Sequence, residues 1–458
     1  MKPHLHFMGI AGVGMSGLAR WYLADGYPVS GCDALDSAEL QTLRRQGIDA
    51  FLGHSAGHVD DADILVSSTA VPTTHPEVQA AAQQGKPALR RIELLAQLLE
   101  TRRGVAVTGT HGKSTTTGMI ATLFLKANLD PSILIGGQLA SLGSNVRYGH
   151  GAWLVAEVDE SDPGFAQLPS EIAVVTNLED DHIAGEFSER RNYHASLSDL
   201  ENAARAFAGR AEQVLYCADW PGLASILDGV PEAVSYGLSE AATYRAEIHE
   251  LSEQSSTFTF YAPDTRCDVK LLIPGTHNVQ NAAAALATAH LAGLELDAAA
   301  EHLGTFSGVG RRWQRMGSVR GALVIDDYAH HPTEVRVTLE AARNTGRRVR
   351  AVLQPHRWVR TARHWAALAD AAALADEVLV LDIYGAGETA IPGVSSARIV
   401  ERLRSAGSTA DLMSAAAAKG YLSETLRSGD LVITLGAGDV WRVAEGVIAA
   451  SGGDDGSA

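Results

Sequence analysis

The sequence predicts an α/β protein of three domains. Its 458 residues are about three times the ~150 residues of an average domain. Short apolar segments alternate with alanine- and leucine-rich segments from end to end, which is the pattern of layered strands and helices. Two charged breaks, TRRG near residue 100 and GVGRRW near residue 310, interrupt the alternation. We therefore expect domains at residues 1–99, 100–312 and 313–458.

The first domain begins with a strand and a glycine-rich helix start. The predicted strands are His4–Gly9, Val29–Gly31, Ala50–Phe51 and Ile64–Val66, and the predicted helices run from the glycines to about Ala24 and over Glu39–Gln46, Glu77–Gln84 and Ile92–Glu100. The segment GIAGVGMSGLA has the G-x-G-x-x-G spacing at Gly12, Gly14 and Gly17, and Asp33 lies near the end of the next strand. Glycines at a helix start let backbone N–H groups approach a pyrophosphate. The pattern fits a nicotinamide cofactor or another nucleotide, and it also fits close packing of the helix without a ligand.

The second domain holds the strongest single motif. A strand at Val105–Thr108 and a helix at Lys113–Ala127 enclose GTHGKSTTT. In this context the glycines direct backbone N–H groups at phosphate oxygens, the lysine reaches the outer phosphates, and the following hydroxyl binds Mg²⁺. The usual pattern has a glycine where this chain has Val107, and Gly109 supplies the turn two residues later. We interpret the segment as an ATP-binding loop rather than a tight turn with a helix-capping lysine.

Two acidic segments follow buried strands of the same domain. AEVDESD ends the predicted strand Trp153–Val158, and NLEDDH follows the predicted strand Ile172–Thr176. In an open parallel sheet the carboxyl ends of adjacent strands border one crevice. Glu157 and His182, joined by Ser114, can therefore meet one divalent cation that bridges ATP phosphates, although an acidic segment alone is more often a solvated turn.

The rest of the second domain changes in composition. Residues 234–273 are richer in Thr, Tyr, Ser and Val, which predicts short antiparallel strands. Asn278–Ala292 is rich in alanine, which predicts a buried helix. Together with the parallel strands before them, these segments predict a mixed sheet.

The third domain carries two segments rich in histidine and arginine. Its predicted strands are Ala322–Ile325, Val349–Leu353, Val378–Leu381 and Leu431–Leu435, with one helix at Thr361–Leu374. DDYAHHP and QPHRWVRT each follow one of these strands. Guanidinium groups bind carboxylates and phosphates in two-point geometry, and Arg357 and Arg360 would share one face of a helix because they lie three residues apart. We expect this pair to contact an anionic ligand, and GRRW is a candidate for a further arginine at the ATP.

The composition excludes several classes of partner. Lys plus Arg number 37 and Asp plus Glu number 54, a formal net charge of −17, which argues against nucleic acid or an anionic membrane surface as a partner. No segment reaches the ~18 uninterrupted apolar residues of a membrane span, and glycines interrupt the apolar N-terminus, unlike a signal peptide. Three widely spaced cysteines favour a reducing compartment. We expect a cytoplasmic protein, monomeric or weakly dimeric, with a frayed tail SGGDDGSA.

Taken together, the motifs resemble those of the Mur ligase family. They occur in the order of that family along nearly the whole chain: GIAGVGM, GTHGKSTTT, EVDESD, NLEDDH, HNVQNAAAA, GRRW, DDYAHHPTE and QPHRWVRT. The resemblance implies an N-terminal Rossmann-like domain for a UDP-sugar, a central P-loop ATPase with a mixed sheet, and a C-terminal Rossmann-like domain for an amino acid. It assigns the first glycine-rich segment to UDP rather than to a nicotinamide cofactor.

The resemblance also implies a role for each motif residue. The ATP contacts would be Gly109, Thr110, His111, Gly112, Lys113, Ser114, Thr115, Asn278, Asn281, Arg312 and Asp327. Mg²⁺ would be held by Ser114, Glu157 and His182, the UDP-sugar by Gly12, Gly14, Met15, Asp33 and Ser67, and the amino acid by Tyr328, His330, Arg357 and Arg360. Catalysis would depend on Lys113, Glu157, His182, His330 and Arg360.

The reaction that the resemblance implies is ATP-driven amide formation between L-alanine and the lactyl carboxylate of UDP-N-acetylmuramate, through an acyl phosphate. Relatives that add later residues use a carbamylated lysine, and Tyr193–Ala206 contains no lysine, as expected for the alanine-adding branch. Two alternatives stay open: a recycling ligase that attaches a murein tripeptide to the same sugar nucleotide, and a nucleotide-regulated binding protein that uses the loop as a switch. The first typically departs from the QPHR pattern kept here, and the second has no need of the DDYAHHP and QPHR segments.

Overall fold

A computed structural model of the chain describes residues 1–68, 71–181, 183 and 194–450. The chain forms two compact units. The first comprises residues 1–246, 260–267 and 281–303, and the second comprises residues 247–259, 268–280 and those from 304 onward. No helix in the described ranges is long and apolar enough to cross a membrane. The domain boundaries at residues 99 and 312 stay predictions.

The first unit begins with a five-stranded parallel sheet. Its strands are β1 (Leu5–Met8), β2 (Val29–Asp33), β3 (Asp49–Leu52), β4 (Ile64–Ser67) and β5 (Ala88–Arg90), and its helices are α1 (Val13–Ala24), α2 (Ala38–Arg45), α3 (Pro76–Gln83) and α4 (Arg91–Glu100). The strand order is β3-β2-β1-β4-β5, and all four pairings are parallel. The order reverses beside β1, so the carboxyl ends of β1 and β4 border the crevice in which such sheets bind ligands.

A second sheet follows in the same unit. The strands along this part of the chain are β6 (Arg103–Thr108), β7 (Ser132–Leu139), β8 (Ser144–Arg147), β9 (Trp153–Glu157), β10 (Ser170–Val175), β11 (Ala211–Cys217), β12 (Ala233–Gly237), β13 (Tyr244–Leu251), β14 (Ser256–Tyr261) and β15 (Arg266–Leu271). The helices are α5 (Lys113–Lys126), α6 (Leu197–Ala208), α7 (Leu223–Ile226), α8 (Thr276–Leu291) and α9 (Leu296–Leu303). Within the unit the order runs β12-β11-β10-β6-β9-β7-β8.

The second sheet is mixed, as predicted, and one antiparallel pair lies outside the segment for which antiparallel strands were predicted. β7 and β8 form an antiparallel hairpin, whereas β12 pairs in parallel with β11 and with β13. The antiparallel prediction for residues 234–273 is therefore wrong for the pairing of β12 with β13. Their Thr- and Tyr-rich composition indicated strands, but composition does not determine strand direction.

The middle of the second sheet is its most buried part. In β6 the side chains of Val105, Ala106 and Val107 are inaccessible to solvent. β6 lies between β9 and β10, and α5 packs on all three of β6, β7 and β9. Such continuous apolar runs are typical of parallel strands covered on both faces. The loop after β6 therefore starts from a rigid base.

The second unit contains a six-stranded sheet. Its strands are β16 (Gln314–Val319), β17 (Ala322–Asp327), β18 (Arg348–Leu353), β19 (Glu377–Val380), β20 (Ala410–Leu412) and β21 (Asp430–Leu435), and its helices are α10 (Pro332–Asn344), α11 (Trp358–Ala372), α12 (Ser396–Ser405), α13 (Ala415–Thr425) and α14 (Trp441–Ala450). The order is β16-β17-β21-β18-β19-β20, with only β16 antiparallel to its neighbour among the described pairings. Separate apolar clusters cover the two faces of the sheet. The tail SGGDDGSA lies outside the described residues.

Candidate active site

The loop between β6 and α5 has a shape that only glycine permits at two positions. Gly109 has φ +129° and Gly112, which caps the helix, has φ +80°, both in the region that side chains disfavour. A Cβ at Gly109 would lie 2.2 Å from Thr176 Oγ1, and one at Gly112 would lie 2.7 Å from Asn281 Oδ1. The loop is therefore closely enclosed on both sides, and the N-terminus of α5 is left to face a ligand.

The end of β10 holds the loop from one side. The Asn177 carbonyl accepts from Thr110 N at 3.0 Å, and the Asn177 side chain accepts from His111 N at 2.7 Å. His111 Nε2 lies 2.7 Å from a Glu179 carboxylate oxygen. These contacts fix the backbone conformation before any nucleotide binds. Thr115 is buried in the first turn of α5.

Lys113, the first residue of α5, is paired with a buried carboxylate. Its Nζ donates to Glu160 Oε2 at 2.6 Å, to the Gly109 carbonyl at 2.5 Å and to the Thr110 carbonyl at 3.1 Å. Burial alone lowers the pKa of Lys113, but the negative charge of Glu160 and of neighbouring carboxylates more than offsets this effect, and the pKa lies above its ordinary value. Lys113 is therefore a largely buried, fixed cation at the helix start, with 14% of its side chain exposed.

The predicted metal ligands are only partly covered by the structure. β9 is the neighbour of β6, with Glu157 opposite Val107, so Glu157 ends its strand beside the loop. A Glu157 carboxylate oxygen accepts from Gly136 N at 2.6 Å. Ser114 is buried in the first turn of α5. His182 lies outside the described residues, and its role stays a prediction.

Two asparagines outside the loop are also expected to contact the nucleotide. Asn281 belongs to the first unit and Asn278 to the second. In the first unit Asn281 accepts from Thr116 Oγ1 at 3.1 Å, which ties α8 to α5. In the second unit Asn278 Nδ2 donates to the Pro274 carbonyl at 2.7 Å. Both asparagines are almost fully buried.

Asp327 and Arg312 lie in the part of the second unit that contains β16 and β17. Asp327 ends β17 and accepts from Trp313 N at 2.7 Å and from Ala329 N at 2.8 Å. Burial raises the pKa of Asp327 to about 6, although Arg312 and these two N–H groups act in the opposite direction. The Arg312 guanidinium lies 5.0 Å from the centre of the Tyr328 ring and 3.5 Å from a Glu334 oxygen.

A cluster of aromatic and basic side chains lies where β17 and β18 end. The His330 ring packs edge-on against Tyr328 at 5.2 Å and against His356 at 5.7 Å. Arg360, largely buried, lies with Nη1 3.2 Å from His356 Nδ1. The imidazole of His330 is oriented by the Tyr328 carbonyl at 2.8 Å. Tyr328, His330 and Arg360 therefore come together, as expected for one small-molecule site.

Arg357 does not lie on the helix with Arg360, and the shared-face prediction is wrong. α11 begins at Trp358, and Arg357 precedes it with φ +67°. Its Nε donates to Glu388 at 2.5 Å. The two arginines therefore leave the backbone in different directions, although they follow the same strand.

The N-terminal candidates cluster at the end of β1. Gly12 caps α1, Met15 is buried in its first turn, and Asp33 at the end of β2 accepts from Ala11 N at 3.1 Å. Ser67 ends β4 on the other side of β1. A Cβ at Gly14 would lie 2.6 Å from Arg91 Nη1, so this glycine serves close packing against α4.

Sequence reasoning missed several residues that shape these sites. Glu160 belongs to the EVDESD segment, but the spacing of that segment did not predict its contact with Lys113. Asn177 stands at the start of NLEDDH in the same way. His356 lies inside QPHR, and Glu388 is 31 residues from its partner, so no local signal could have identified it.

Comparison with known proteins gives one consistent result. Three sequence models match in order: "Mur ligase family, catalytic domain" over residues 4–103, "Mur ligase middle domain" over 107–289, and "Mur ligase, glutamate ligase domain" over 311–438. The UDP-N-acetylmuramate–L-alanine ligase of Deinococcus radiodurans is 46% identical, with 98% of this chain and 94% of that protein covered. The ligase of the same name from Syntrophotalea carbinolica is 41% identical over 96% of each chain.

Solved structures agree on the fold. The UDP-N-acetylmuramate–alanine ligase of Thermotoga maritima superposes with a TM-score of 0.82 at 28% identity, over 98% of this chain and 99% of that one. A murein peptide ligase from Psychrobacter arcticus superposes with a TM-score of 0.70 at 23% identity, over 98% and 99%. The second likeness shows the shared three-domain α/β fold.

Proposed function

We propose, since this chain belongs to the Mur ligase family, that it joins L-alanine to the lactyl carboxylate of UDP-N-acetylmuramate at the expense of ATP in peptidoglycan synthesis. Relatives that carry this activity in their names are 41–46% identical and are matched over 94–96% of their own length. The murein peptide ligase, at 23% identity, supports only the fold. The alanine-adding reaction is therefore the one to test first.

The observation that carries the proposal is the largely buried Lys113 at the start of α5, near Glu157 at the end of the neighbouring strand β9. Transfer of the γ-phosphoryl group to the lactyl carboxylate gives an acyl phosphate and ADP. Negative charge accumulates on the transferring group, and a fixed cation with convergent N–H groups stabilises it. Gly109, Thr110, His111, Gly112, Lys113, Ser114 and Thr115 would form this loop, with Asn278, Asn281, Arg312 and Asp327 as further nucleotide contacts.

The donor set on this side of the sheet fits a hard divalent cation such as Mg²⁺. Ser114 offers a hydroxyl and Glu157 a carboxylate, and oxygen ligands are those that Mg²⁺ prefers. When bound, Mg²⁺ would neutralise charge on the phosphates. Ser114 and Glu157, with His182, are the residues that we propose to hold it.

The second half-reaction needs a site for the amino acid. The amine of L-alanine attacks the acyl carbon of the acyl phosphate and inorganic phosphate leaves. We propose that Arg360 binds the alanine carboxylate, because its guanidinium is buried and fixed beside His356. His330 would stabilise the charged intermediate, while Tyr328 and Arg357 would complete the site.

The N-terminal crevice would hold the UDP-sugar. Gly12 caps α1, and N–H groups in the first turn of a helix favour a pyrophosphate. Gly14, Met15, Asp33 and Ser67 would line the same crevice. We also propose that the enzyme works in the cytoplasm, where ATP and nucleotide sugars are made, as a monomer or weak dimer, which sedimentation velocity would test.

Phosphate release tests the reaction directly. With ATP and Mg²⁺ present, UDP-N-acetylmuramate, L-alanine and a murein tripeptide are added singly and in pairs. Release that needs the sugar nucleotide and L-alanine together is the expected result. Release with ATP alone would indicate a nucleotide switch, and release that needs the tripeptide would indicate a recycling ligase.

Arg360→Ala tests the assignment of the amino-acid site. We expect KM for L-alanine to rise by about 100-fold, since a buried charged hydrogen bond is lost, while the ATP affinity changes less than threefold. Arg363→Ala is the matched control, because Arg363 lies on the same helix and is exposed. Equal losses for alanine and ATP would remove Arg360 from the amino-acid site.

A further inference from the structure

A polar cluster with no part in the ligase reaction lies inside the first sheet of the first unit. It contains His6 of β1, Cys32 of β2, His58 of the 3₁₀ turn Ala56–Val59, and Glu77 of α3. One potential ligand atom from each of these four residues lies within 4.8 Å of the others. We refer to them as the His-Cys-Glu cluster.

The cluster is buried, which makes its chemistry unusual. His6, Cys32 and Glu77 are completely inaccessible, and the His58 side chain retains only 18% exposure. Glu77 accepts from His58 Nδ1 at 2.9 Å, from Ser55 N at 2.9 Å and from Cys32 Sγ at 3.2 Å. A carboxylate in such a place requires a compensating positive charge.

One ring nitrogen of His6 has no hydrogen-bond partner in the part of the chain that the structure describes. Its Nδ1 bonds to Ser30 Oγ at 2.8 Å, which fixes the ring. Its Nε2 is buried and has no hydrogen-bond partner among the described residues. Buried polar atoms are rarely left in this state, and an imidazole that is hydrogen-bonded at one nitrogen and has the other available is the usual arrangement of a metal-binding histidine.

We propose that His6, Cys32, His58 and Glu77 form a binding site for Zn²⁺. Two imidazole nitrogens, one thiolate and one carboxylate are a complete tetrahedral ligand set for this ion. Cys32 binds as the thiolate and releases its proton to solvent. The site is then neutral, because the two positive charges of Zn²⁺ meet one charge from Cys32 and one from Glu77.

The geometry is close to what the ion requires. Zn–N bonds of ~2.0 Å and Zn–S bonds of ~2.3 Å place tetrahedral ligands roughly 3.5 Å apart. The contacts of 2.9 Å between His58 and Glu77 and 3.2 Å between Cys32 and Glu77 already lie near this value. The widest separation, within 4.8 Å, closes with a shift of about 1 Å.

An access route lies beside the cluster. His54 Nδ1 is 3.1 Å from Cys32 Sγ and 3.5 Å from Glu77 Oε2, and its side chain is 28% exposed. His54 and His75 form a second group of potential ligands that shares Glu77. An ion can therefore pass from the surface histidines to the buried ligands. Once bound, it would connect β1, β2, the 3₁₀ turn and α3.

Metal titration of the full chain tests this site. The protein is stripped with a chelator and titrated with Co²⁺ in excess Mg²⁺, which occupies oxygen sites at the phosphate loop. We expect one equivalent of Co²⁺ to bind, with the intense visible bands of tetrahedral Co²⁺ and a thiolate charge-transfer band. Zn²⁺ should displace it and raise the thermal unfolding midpoint. Absence of a stoichiometric tetrahedral spectrum overturns the proposal.

Variants identify the ligands. Cys32→Ser should abolish the charge-transfer band and weaken Zn²⁺ binding by at least about 100-fold, because it removes a ligand rather than a supporting residue. Cys217→Ser is the matched control, since Cys217 is also a buried free cysteine of the same unit but lies outside the cluster, and it should bind like the parent. An unchanged spectrum in Cys32→Ser means that the ion binds elsewhere, which refutes the site.

Two milder variants keep the test independent of folding. His58→Gln changes a partly exposed residue and should also weaken Zn²⁺ binding by at least about 100-fold. Ser30→Ala removes the hydrogen bond that orients His6, together with one to His4 outside the cluster, and should weaken binding by about 10- to 100-fold. If circular dichroism shows both variants folded and both bind Zn²⁺ like the parent, the cluster is a hydrogen-bonded network and not a metal site.

Discussion

The first unit contains two glycine-rich turns that each lead from a parallel strand into a helix, and they differ in how tightly they are enclosed. After β1, a Cβ at Gly9 would meet nothing within 4 Å of the described structure, and one at Gly12 would lie 3.4 Å from the Gly9 carbonyl. After β6, a Cβ at Gly109 or Gly112 would overlap a neighbouring strand or helix at 2.2–2.7 Å.

The two turns also differ in charge. The turn after β6 leads into Lys113, whose ammonium is held by Glu160 at 2.6 Å. The turn after β1 leads into Val13 and is contacted by the acceptor Asp33, while the nearby Arg91 guanidinium is paired with Asp159. Both turns therefore offer helix N–H groups, whereas the turn after β6 also has the ammonium that we propose for phosphoryl transfer.

Lys113→Ala should have the largest effect and should separate the two turns. We expect kcat of the ligase reaction to fall by about 10³-fold or more, because the cation that stabilises the transferring phosphoryl group is lost. UDP-sugar binding, measured by calorimetry, should remain within about twofold of the parent, since it depends on the other turn.

Lys126→Ala is the control for that measurement. Lys126 is exposed in the last turn of the same helix, and its removal should leave kcat unchanged. Loss of UDP-sugar binding in folded Lys113→Ala would mean that the two turns serve one ligand, contrary to the comparison.

A comparison of the stabilities of Gly109→Ala and Gly12→Ala tests whether the turn after β6 is more tightly enclosed than the turn after β1. Alanine at position 109 must adopt φ +129° and displace the Asn177 carbonyl, which would lie 2.7 Å from its Cβ. We expect the free energy of unfolding to fall by about 3 kcal/mol. Gly12 has φ −66°, which alanine accepts, so its variant should change stability by less than about 0.5 kcal/mol. Urea denaturation of both proteins measures the difference, and similar losses would show that the two turns are equally constrained.

The sequence was most informative where strands are central. The strands that end at the candidate sites were all predicted with end points within two residues, because a strand buried on both faces is a continuous apolar run. The internal strands β7 and β11 were missed, because glycines at positions 136 and 137 interrupt β7 and polar residues occupy positions 212 and 213 of β11. β5, β8, β16 and β20 were also missed, and each lies at the edge of its sheet. An edge strand is partly solvated and has no such run.

The residues of the candidate sites, like the strands, could be predicted only where the signal is local in the sequence. Motif residues that depend on their own turn, such as Gly109 and Gly112, could be read from local spacing. Glu160 and Glu388 could not, because their roles depend on which distant side chain they meet after folding. Arg357 shows the limit of spacing: its place three residues before Arg360 suggested one helix face, but the helix begins one residue later.

Glu160→Gln should produce an intermediate effect that explains why the second turn has a carboxylate partner. In the nucleotide-free protein Glu160 occupies the ammonium that a phosphate would otherwise contact. The glutamine keeps the size of the side chain and a hydrogen bond but removes the charge, so unfolding free energy should fall by about 1–2 kcal/mol. ATP affinity should rise by about 3- to 10-fold, corresponding to about 1 kcal/mol less competition for Lys113. Weaker ATP binding in a folded variant would show that Glu160 assists the nucleotide instead of competing with it.

We expect Asp33→Ala to have the smallest effect. This variant measures how much the Asp33 carboxylate contributes to UDP-sugar binding at the turn after β1. Asp33 accepts from Ala11 N and Leu35 N, both at 3.1 Å, so it holds the turn after β1 in place. Its loss removes one partly exposed hydrogen bond to the turn, and we expect the UDP-sugar affinity to fall by about fivefold, or about 1 kcal/mol, with ATP affinity unchanged. Asp36→Ala is the matched control, since Asp36 is an exposed carboxylate three residues later and should not affect either ligand. If the two variants weaken UDP-sugar binding equally, general surface charge rather than the hydrogen bond to Ala11 supports that turn, and the first turn would then be organised only by its glycines.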